Sequence, residues 1–251
     1  MAHGDWCSVI TDLSILQLEN VSKSFGALKV ADGVTFELAE GEALGVIGPN
    51  GAGKSTLFNL ITGNIFPDDG TVFFGGVDVT RASPMARCLA GVGRTFQIPQ
   101  PFEKLTVFEN LLVAAAFGSR KHEAEVAARC ADILVETGLA NRTNQPAGGL
   151  ALLQRKRLEL ARALATEPRV LLLDEIAGGL TEAESHALVE TIHGVRRRGV
   201  SIIWIEHVLH ALTAVVERLL VLNFGKVIGI GKPDEIMNSR EVREIYLGIE
   251  V

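Results

Sequence analysis

The densest chemistry in this chain lies in nine consecutive residues, Gly48-Pro49-Asn50-Gly51-Ala52-Gly53-Lys54-Ser55-Thr56. Gly48, Gly53, Lys54 and Ser55 satisfy the spacing G-x-x-x-x-G-K-[ST], and each residue type there has a reason. Glycines let the backbone curl until its N–H groups face one anion. A helix opening just after the loop aims its positive end at the same anion. Lys54 brings a full charge to the β- and γ-phosphates of a nucleotide, and the Ser55 hydroxyl is a hard oxygen donor suited to Mg²⁺. Residues 48–56 therefore read as a grip for ATP and Mg²⁺.

Such a loop needs a carboxylate opposite it, at the end of a buried strand. Val170-Leu171-Leu172-Leu173-Asp174-Glu175 supplies one about 120 residues downstream. Asp174 suits Mg²⁺, directly or through water. Glu175, one residue on, is placed to polarise an attacking water.

The elements that must hold these groups are legible in the surrounding pattern. Ala43 to Ile47 is a short apolar run resembling a buried strand. The loop follows, then a helix over 55–62 with Gly63 as its C-terminal cap. Strand patterns also run from Ser14 to Val21, through Val34, Phe36 and Leu38, and from Val200 to Ile205. Residues 65–80 predict a hairpin, with turn signals at Pro67–Gly70 and Gly75-Gly76. Thr106 with Glu109, and Thr181 with Glu184, predict capping boxes that open helices. Val126, Cys130, Ile133 and Leu134 form an apolar stripe on a helix ending at Gly138. Arg196, Arg197 and Arg198 close another helix, where cations suit the dipole. Strand–loop–helix units thus flank a helical insert over roughly 98–166, which predicts a mostly parallel α/β core within a single domain over 14–251. Residues 1–13 lack periodicity and read as a flexible arm.

Composition narrows the class. The net charge of −6 disfavours a sequence-independent nucleic-acid binder, and no nucleic-acid partner is expected. Cys7, Cys88 and Cys130 are far apart and show no metal-ligand spacing, which fits a reduced, cytoplasmic setting. No apolar run approaches the ~20 residues that span a bilayer, and no signal peptide is visible. The mean hydropathy of +0.27 is on the apolar side and points to surface covered by a partner.

The order and spacing of these features resemble the ATP-binding subunits of ABC transporters, over residues 15–251. The resemblance implies a P-loop NTPase with a RecA-like core, an antiparallel β subdomain and a helical subdomain. It implies that Gln97, in Gly93-Arg94-Thr95-Phe96-Gln97, contacts Mg²⁺ and senses a membrane partner. His207 matches the family's switch histidine near the γ-phosphate, and Ala177-Gly178-Gly179-Leu180-Thr181 sits where the D-loop should. Phe25 matches the aromatic that stacks on adenine, with core packing as the lesser alternative. In this reading Glu175, His207 and Lys54 are catalytic, and Ser55, Gln97 and Asp174 hold the metal. Phe102–Asn110, Val221–Gly225 and Tyr246-Leu247-Gly248 look like importers of branched-chain, hydrophobic amino acids; related importers carry urea or short amides. The resemblance further implies integral membrane permease subunits, a second ATP-binding subunit (the same chain or a related one), a solute-binding protein acting indirectly, and a peripheral position on the cytoplasmic face of the membrane. Ile98-Pro99-Gln100-Pro101-Phe102, stiffened by two prolines, is the expected docking segment for the permease.

One segment departs from the pattern. Where the family has Leu-Ser-Gly-Gly-Gln, reaching across a dimer to the other subunit's ATP, this chain has Leu150-Ala151-Leu152-Leu153-Gln154. Ala151 has no hydroxyl, and Leu152 and Leu153 carry side chains where glycines would allow close backbone approach. The proline expected after the acidic pair is Ile176. Arg155, Lys156 and Arg157 fall in the first turn of the next helix, where cations oppose the dipole. They are expected either to face the partner's nucleotide in compensation or to lie solvated on the surface.

Overall fold

In the computed structural model, which describes residues 14–247, the continuous apolar runs become strands covered on both faces. β3 (Ala43–Ile47), β7 (Val170–Asp174) and β8 (Ser201–Ile205) are buried at every residue, as a parallel sheet with two covered faces requires. The arm expected over 1–13 and Gly248 of the terminal motif lie outside the described residues.

Two sheets organise the chain. One has six strands in the order β10-β9-β3-β8-β7-β6, built with β6 (Val92–Arg94), β9 (Arg218–Asn223) and β10 (Lys226–Gly231). Only the β9–β10 pair is antiparallel. The other is an antiparallel sheet of four strands, β2-β1-β4-β5, comprising β1 (Ser14–Phe25), β2 (Leu28–Ala39), β4 (Asp69–Phe74) and β5 (Val77–Asp78). Gly75-Gly76 forms the turn between β4 and β5, whereas the Pro67–Gly70 signals lie at the entry to β4.

The two-residue period of the strands divides the core into two packed layers. Leu44, Val46, Leu172, Ile203 and Leu220 face the antiparallel sheet and helix α1 (Lys54–Thr62). Leu171, Leu173, Ile202, Trp204 and Leu219 face the opposite layer, which holds α5 (Leu152–Ala165), α6 (Glu182–Arg196) and α7 (Leu209–Thr213). α2 (Pro84–Ala90) leads into β6, and α3 (Val107–Ser119) and α4 (Glu123–Glu136) pack with α5 as the helical layer. α8 (Pro233–Asn238) and α9 (Arg240–Leu247) follow β10.

Local chemistry sets the helix ends. Thr106 and Thr181 form full capping boxes with Glu109 and Glu184, which start α3 and α6. The stripe Val126, Cys130, Ile133 and Leu134 is the buried face of α4. Gly63 ends α1 in the left-handed conformation with φ 77°. Arg87 supplements that end: its guanidinium is 1% exposed and donates to the carbonyls of Leu60 and Ile61 at 2.7 and 2.8 Å. It also donates to Thr80 O and Ala82 O. A buried cation thus satisfies carbonyls that the last turn of α1 leaves unpaired.

Candidate functional site

The loop 48–53 leaves the carboxyl end of β3 and turns directly into α1. Gly51 and Gly53 have φ of 80° and 105°, a region that favours glycine. A Cβ on Gly53 would stand 2.5 Å from the Val30 carbonyl oxygen, and one on Gly48 would stand 2.3 Å from that of Leu222. The loop is therefore held against β2 and the β9–β10 turn as well as curled. Lys54 folds back over it, with Nζ donating to Gly48 O at 2.6 Å and Pro49 O at 3.0 Å. Burial pushes the Lys54 ammonium below its ordinary pKa, while the charges of Glu175 and Asp174 pull it back up. Asn50 and Ser55 are exposed on the rim of the loop, Pro49 and Thr56 are partly exposed, and Ala52 is buried.

The acidic pair stands across from the loop, at the end of β7. Asp174 is 6% exposed, and its Oδ2 accepts from Arg94 at 2.9 Å. That guanidinium also donates to Asn59 Oδ1 at 2.6 Å and stacks between the rings of Phe58 and Phe96. Glu175 adopts φ 47°, which costs a non-glycine residue about 1 kcal/mol and turns its carboxylate out of the strand. Both carboxylate oxygens are engaged. Oε2 accepts from Gln97 Nε2, and Oε1 lies 3.0 Å from His207 Nε2.

Sequence-predicted residues from four separate elements thus meet at one mouth: Lys54, Asp174, Glu175, Gln97 and His207. Ser55 hydroxyl, Asp174 carboxylate and the Gln97 amide carbonyl are all hard oxygen donors, the chemistry Mg²⁺ prefers alongside phosphate oxygens. Among the described residues no three His, Cys, Asp or Glu side chains form an all-protein metal cage. Phe25 is 51% exposed, which excludes its reading as a core residue.

The segment 150–157 runs from the end of a short loop into α5. Leu150 is buried and Leu152 is 48% exposed. Ala151 occupies the N-cap of α5 with no side-chain hydrogen bond, and Gln154 Oε1 is buried without a partner. Gly148 packs against Glu103. Lys156 does not lie solvated, whereas Arg155 is partly exposed. Arg155 donates to Leu150 O at 2.9 Å and Gly148 O at 2.8 Å of its own chain. Lys156 is 5% exposed, with Nζ 3.2 Å from Glu175 O. Carbonyls of adjacent loops hold both side chains.

The sequence reading missed two residues of this neighbourhood. Arg94 lies within Gly93–Gln97, but nothing along the chain pairs it with Asp174 80 positions away. Asn110, 0% exposed, clamps the segment after Gln97: Phe102 N donates to its Oδ1, and its Nδ2 donates to Phe102 O and Thr106 O. A polar residue at an otherwise apolar helical position was the available signal.

A curled glycine loop at the end of one parallel strand, facing the acidic end of another across β8, defines an ATP-binding P-loop ATPase. Comparison with known proteins places it within that class. The family model described as ABC transporter matches residues 31–178. A probable branched-chain amino acid transport ATP-binding protein LivG of Archaeoglobus fulgidus is 36% identical over 249 residues, covering 95% of this chain and 97% of the relative. The lipopolysaccharide export system ATP-binding protein LptB of Haemophilus influenzae is 30% identical, covering 94% and 98%. A crystal structure of the ADP conformation of an ATP-binding cassette of an ABC transporter superposes with a TM-score of 0.85 at 32% identity, over 94% of this chain and 100% of that one. The chain belongs to the ABC transporter family, and its activity is ATP hydrolysis coupled to transport.

Proposed function

We propose that this chain is the ATP-hydrolysing subunit of an importer for branched-chain or other hydrophobic amino acids, working on the cytoplasmic face of the membrane. The observation that carries the hydrolytic reading is Glu175, whose carboxylate lies between Gln97 and His207 at the mouth of the phosphate loop. The solute class rests on similarity to LivG over nearly the whole chain.

In this mechanism residues 48–56 hold the triphosphate, with backbone N–H groups and Lys54 matching its charge. Lys54 exchanges its contacts with Gly48 O and Pro49 O for phosphate oxygens. Phe25 stacks on the base. Ser55, Asp174 and Gln97 hold Mg²⁺, which when bound neutralises phosphate charge. Glu175 orients the attacking water, and His207 holds Glu175 in place and stabilises the transferring group. Gln97 leaves Glu175 on moving toward the nucleotide, which frees one carboxylate oxygen for water.

Two such domains sandwich ATP, with segment 150–154 of one reaching the nucleotide of the other. Nucleotide bound to both then favours the closed pair. The permease docks on the segment 98–102 after Gln97, where Ile98 and Phe102 are 70% and 48% exposed, with Phe96, 51% exposed, just before it. A solute-binding protein delivers the amino acid from the far side. No helix of the described residues is long and apolar enough to cross a membrane, which suits a peripheral subunit.

A second reading is favoured by Ala151, Leu152 and Leu153. Without hydroxyl or glycines, this segment serves its partner's ATP poorly, so a mixed pair with a related subunit supplies the faster site. Deleting the gene and measuring uptake of labelled leucine, isoleucine and valine against urea tests the solute class; loss of urea uptake alone would overturn it. ATP turnover of Glu175→Gln, expected to fall roughly 100-fold or more, tests the hydrolytic role. Unchanged turnover would remove Glu175 from it.

A further inference from the structure

A buried lysine with no place in the mechanism above lies directly behind its central carboxylate. Lys156 is in the second turn of α5, and its side chain enters the interior, where it is 5% exposed. Burying an ammonium is costly unless polar groups receive it. Nζ donates to the backbone carbonyl of Glu175 at 3.2 Å. Burial lowers its pKa, and the carboxylate charges of Glu206 and Glu175 oppose that shift.

Glu206 completes the arrangement. It is 1% exposed and stands at the end of β8, one residue before His207. Its Oε2 accepts from Ala177 N at 2.9 Å, and its Oε1 accepts from His207 N at 3.0 Å and Val208 N at 3.4 Å. One carboxylate therefore ties the segment after Glu175 to the segment carrying His207. Lys156 supplies the nearby positive charge and anchors the peptide between them from α5. The backbone of Glu175 is held at φ 47°, a conformation that persists only where neighbours over-determine it. The carbonyl that Lys156 grips belongs to that residue.

We propose that Lys156, together with Glu206, is a positioning residue for ATP hydrolysis. The pair fixes the strained Glu175 peptide and the His207 loop, so that the two side chains meet at 3.0 Å. Lys156 itself touches neither nucleotide nor water. The inference rests on Glu175 being the group that orients water.

Removing the ammonium releases the Glu175 carbonyl and withdraws a positive charge that acts on Glu206. Lys156→Met keeps the length and apolar stem, and Lys156→Arg keeps the charge. The test uses the full chain with its co-purified subunits. For Lys156→Met, kcat falls roughly 10-fold or more while KM and the affinity for a fluorescent ATP analogue stay within about twofold, the split expected when only transition-state geometry is lost. Lys156→Arg recovers most of kcat. Exchange of the Ala177 and His207 amides, read by hydrogen exchange, speeds up in Lys156→Met. Adding Glu206→Gln to Lys156→Met lowers kcat by less than the product of the two single losses.

Parent-like kcat in a folded Lys156→Met protein would overturn the proposal. So would a loss that Lys156→Arg fails to restore while Glu206→Gln turns over normally. If Lys156→Met fails to fold, Lys156→Arg and Glu206→Gln are read alone, and normal turnover of both overturns it. Glu175→Gln, measured in parallel, separates the two ideas. Full turnover there removes the underlying assignment, whereas a dead Glu175→Gln beside an active Lys156→Met removes only the role of Lys156.

Discussion

Replacing Arg94 by Met puts a figure on the ion pair behind the phosphate loop. Arg94 and Asp174 have side chains only 10% and 8% exposed and meet at 2.9 Å. At that separation two unit charges attract by about 6 kcal/mol at an effective dielectric near 20. Methionine keeps an apolar stem but removes the guanidinium, so the ion pair and the stacking on Phe58 and Phe96 are lost together. It strands a buried carboxylate, which ordinarily costs 3–5 kcal/mol. The positive charge of Lys54 acts on the same carboxylate, so the lower end of that range, about 3 kcal/mol, is expected. For a chain of this size that is a fall in Tm of roughly 6–12 °C without nucleotide. The assay is a double-mutant cycle by thermal unfolding, with Asp174→Asn as the second change. Asp174→Asn removes the stranded charge, so the double variant recovers at least about 1.5 kcal/mol relative to additivity. A Tm shift under about 2 °C, or strictly additive losses, would refute the pairing.

Three further outcomes follow from single contacts. Arg87→Met strips the carbonyls of Leu60, Ile61 and Thr80 of their donor and costs roughly 3 kcal/mol in urea unfolding. Burial lowers the Arg87 pKa to about 10, so the group stays charged and this loss is the same between about pH 6 and pH 8. The Glu109 and Glu184 carboxylates are held below their ordinary 4.5 by the backbone and hydroxyl hydrogen bonds of Thr106 and Thr181. A depressed carboxylate contributes stability above its unfolded pKa and loses it as pH falls through the lower folded value. The Tm advantage of the parent over a Glu109→Gln, Glu184→Gln variant is therefore complete at neutral pH, begins to fall as pH drops through the ordinary carboxylate value, and is gone once pH passes the depressed folded value, read in a thermal-melt series. Ala151→Ser supplies the missing N-cap of α5, whose backbone is already extended at φ −70° and ψ 167°, and raises stability by about 1 kcal/mol in the urea midpoint.

Much of this protein was readable along the chain because the responsible forces are local. The phosphate loop follows from glycine backbone freedom and a lysine at fixed spacing. The two capping boxes each need only residues three apart, and the buried strands announce themselves as apolar runs. What decided the rest is contact between residues distant in sequence. Arg94 reaches Asp174 across 80 positions, and Gln97 reaches Glu175 across 78. No periodicity encodes such pairs; they exist because β6 lies beside β7 in the sheet. The basic run 155–157 shows the same limit most sharply. Its charges read as surface or partner-facing, yet Lys156 turns into the chain onto the Glu175 carbonyl, while Arg155 is held partly exposed on the carbonyls of Gly148 and Leu150. Composition determines which groups are available, and only the packing of α5 against the end of β7 decides which partner a buried cation meets.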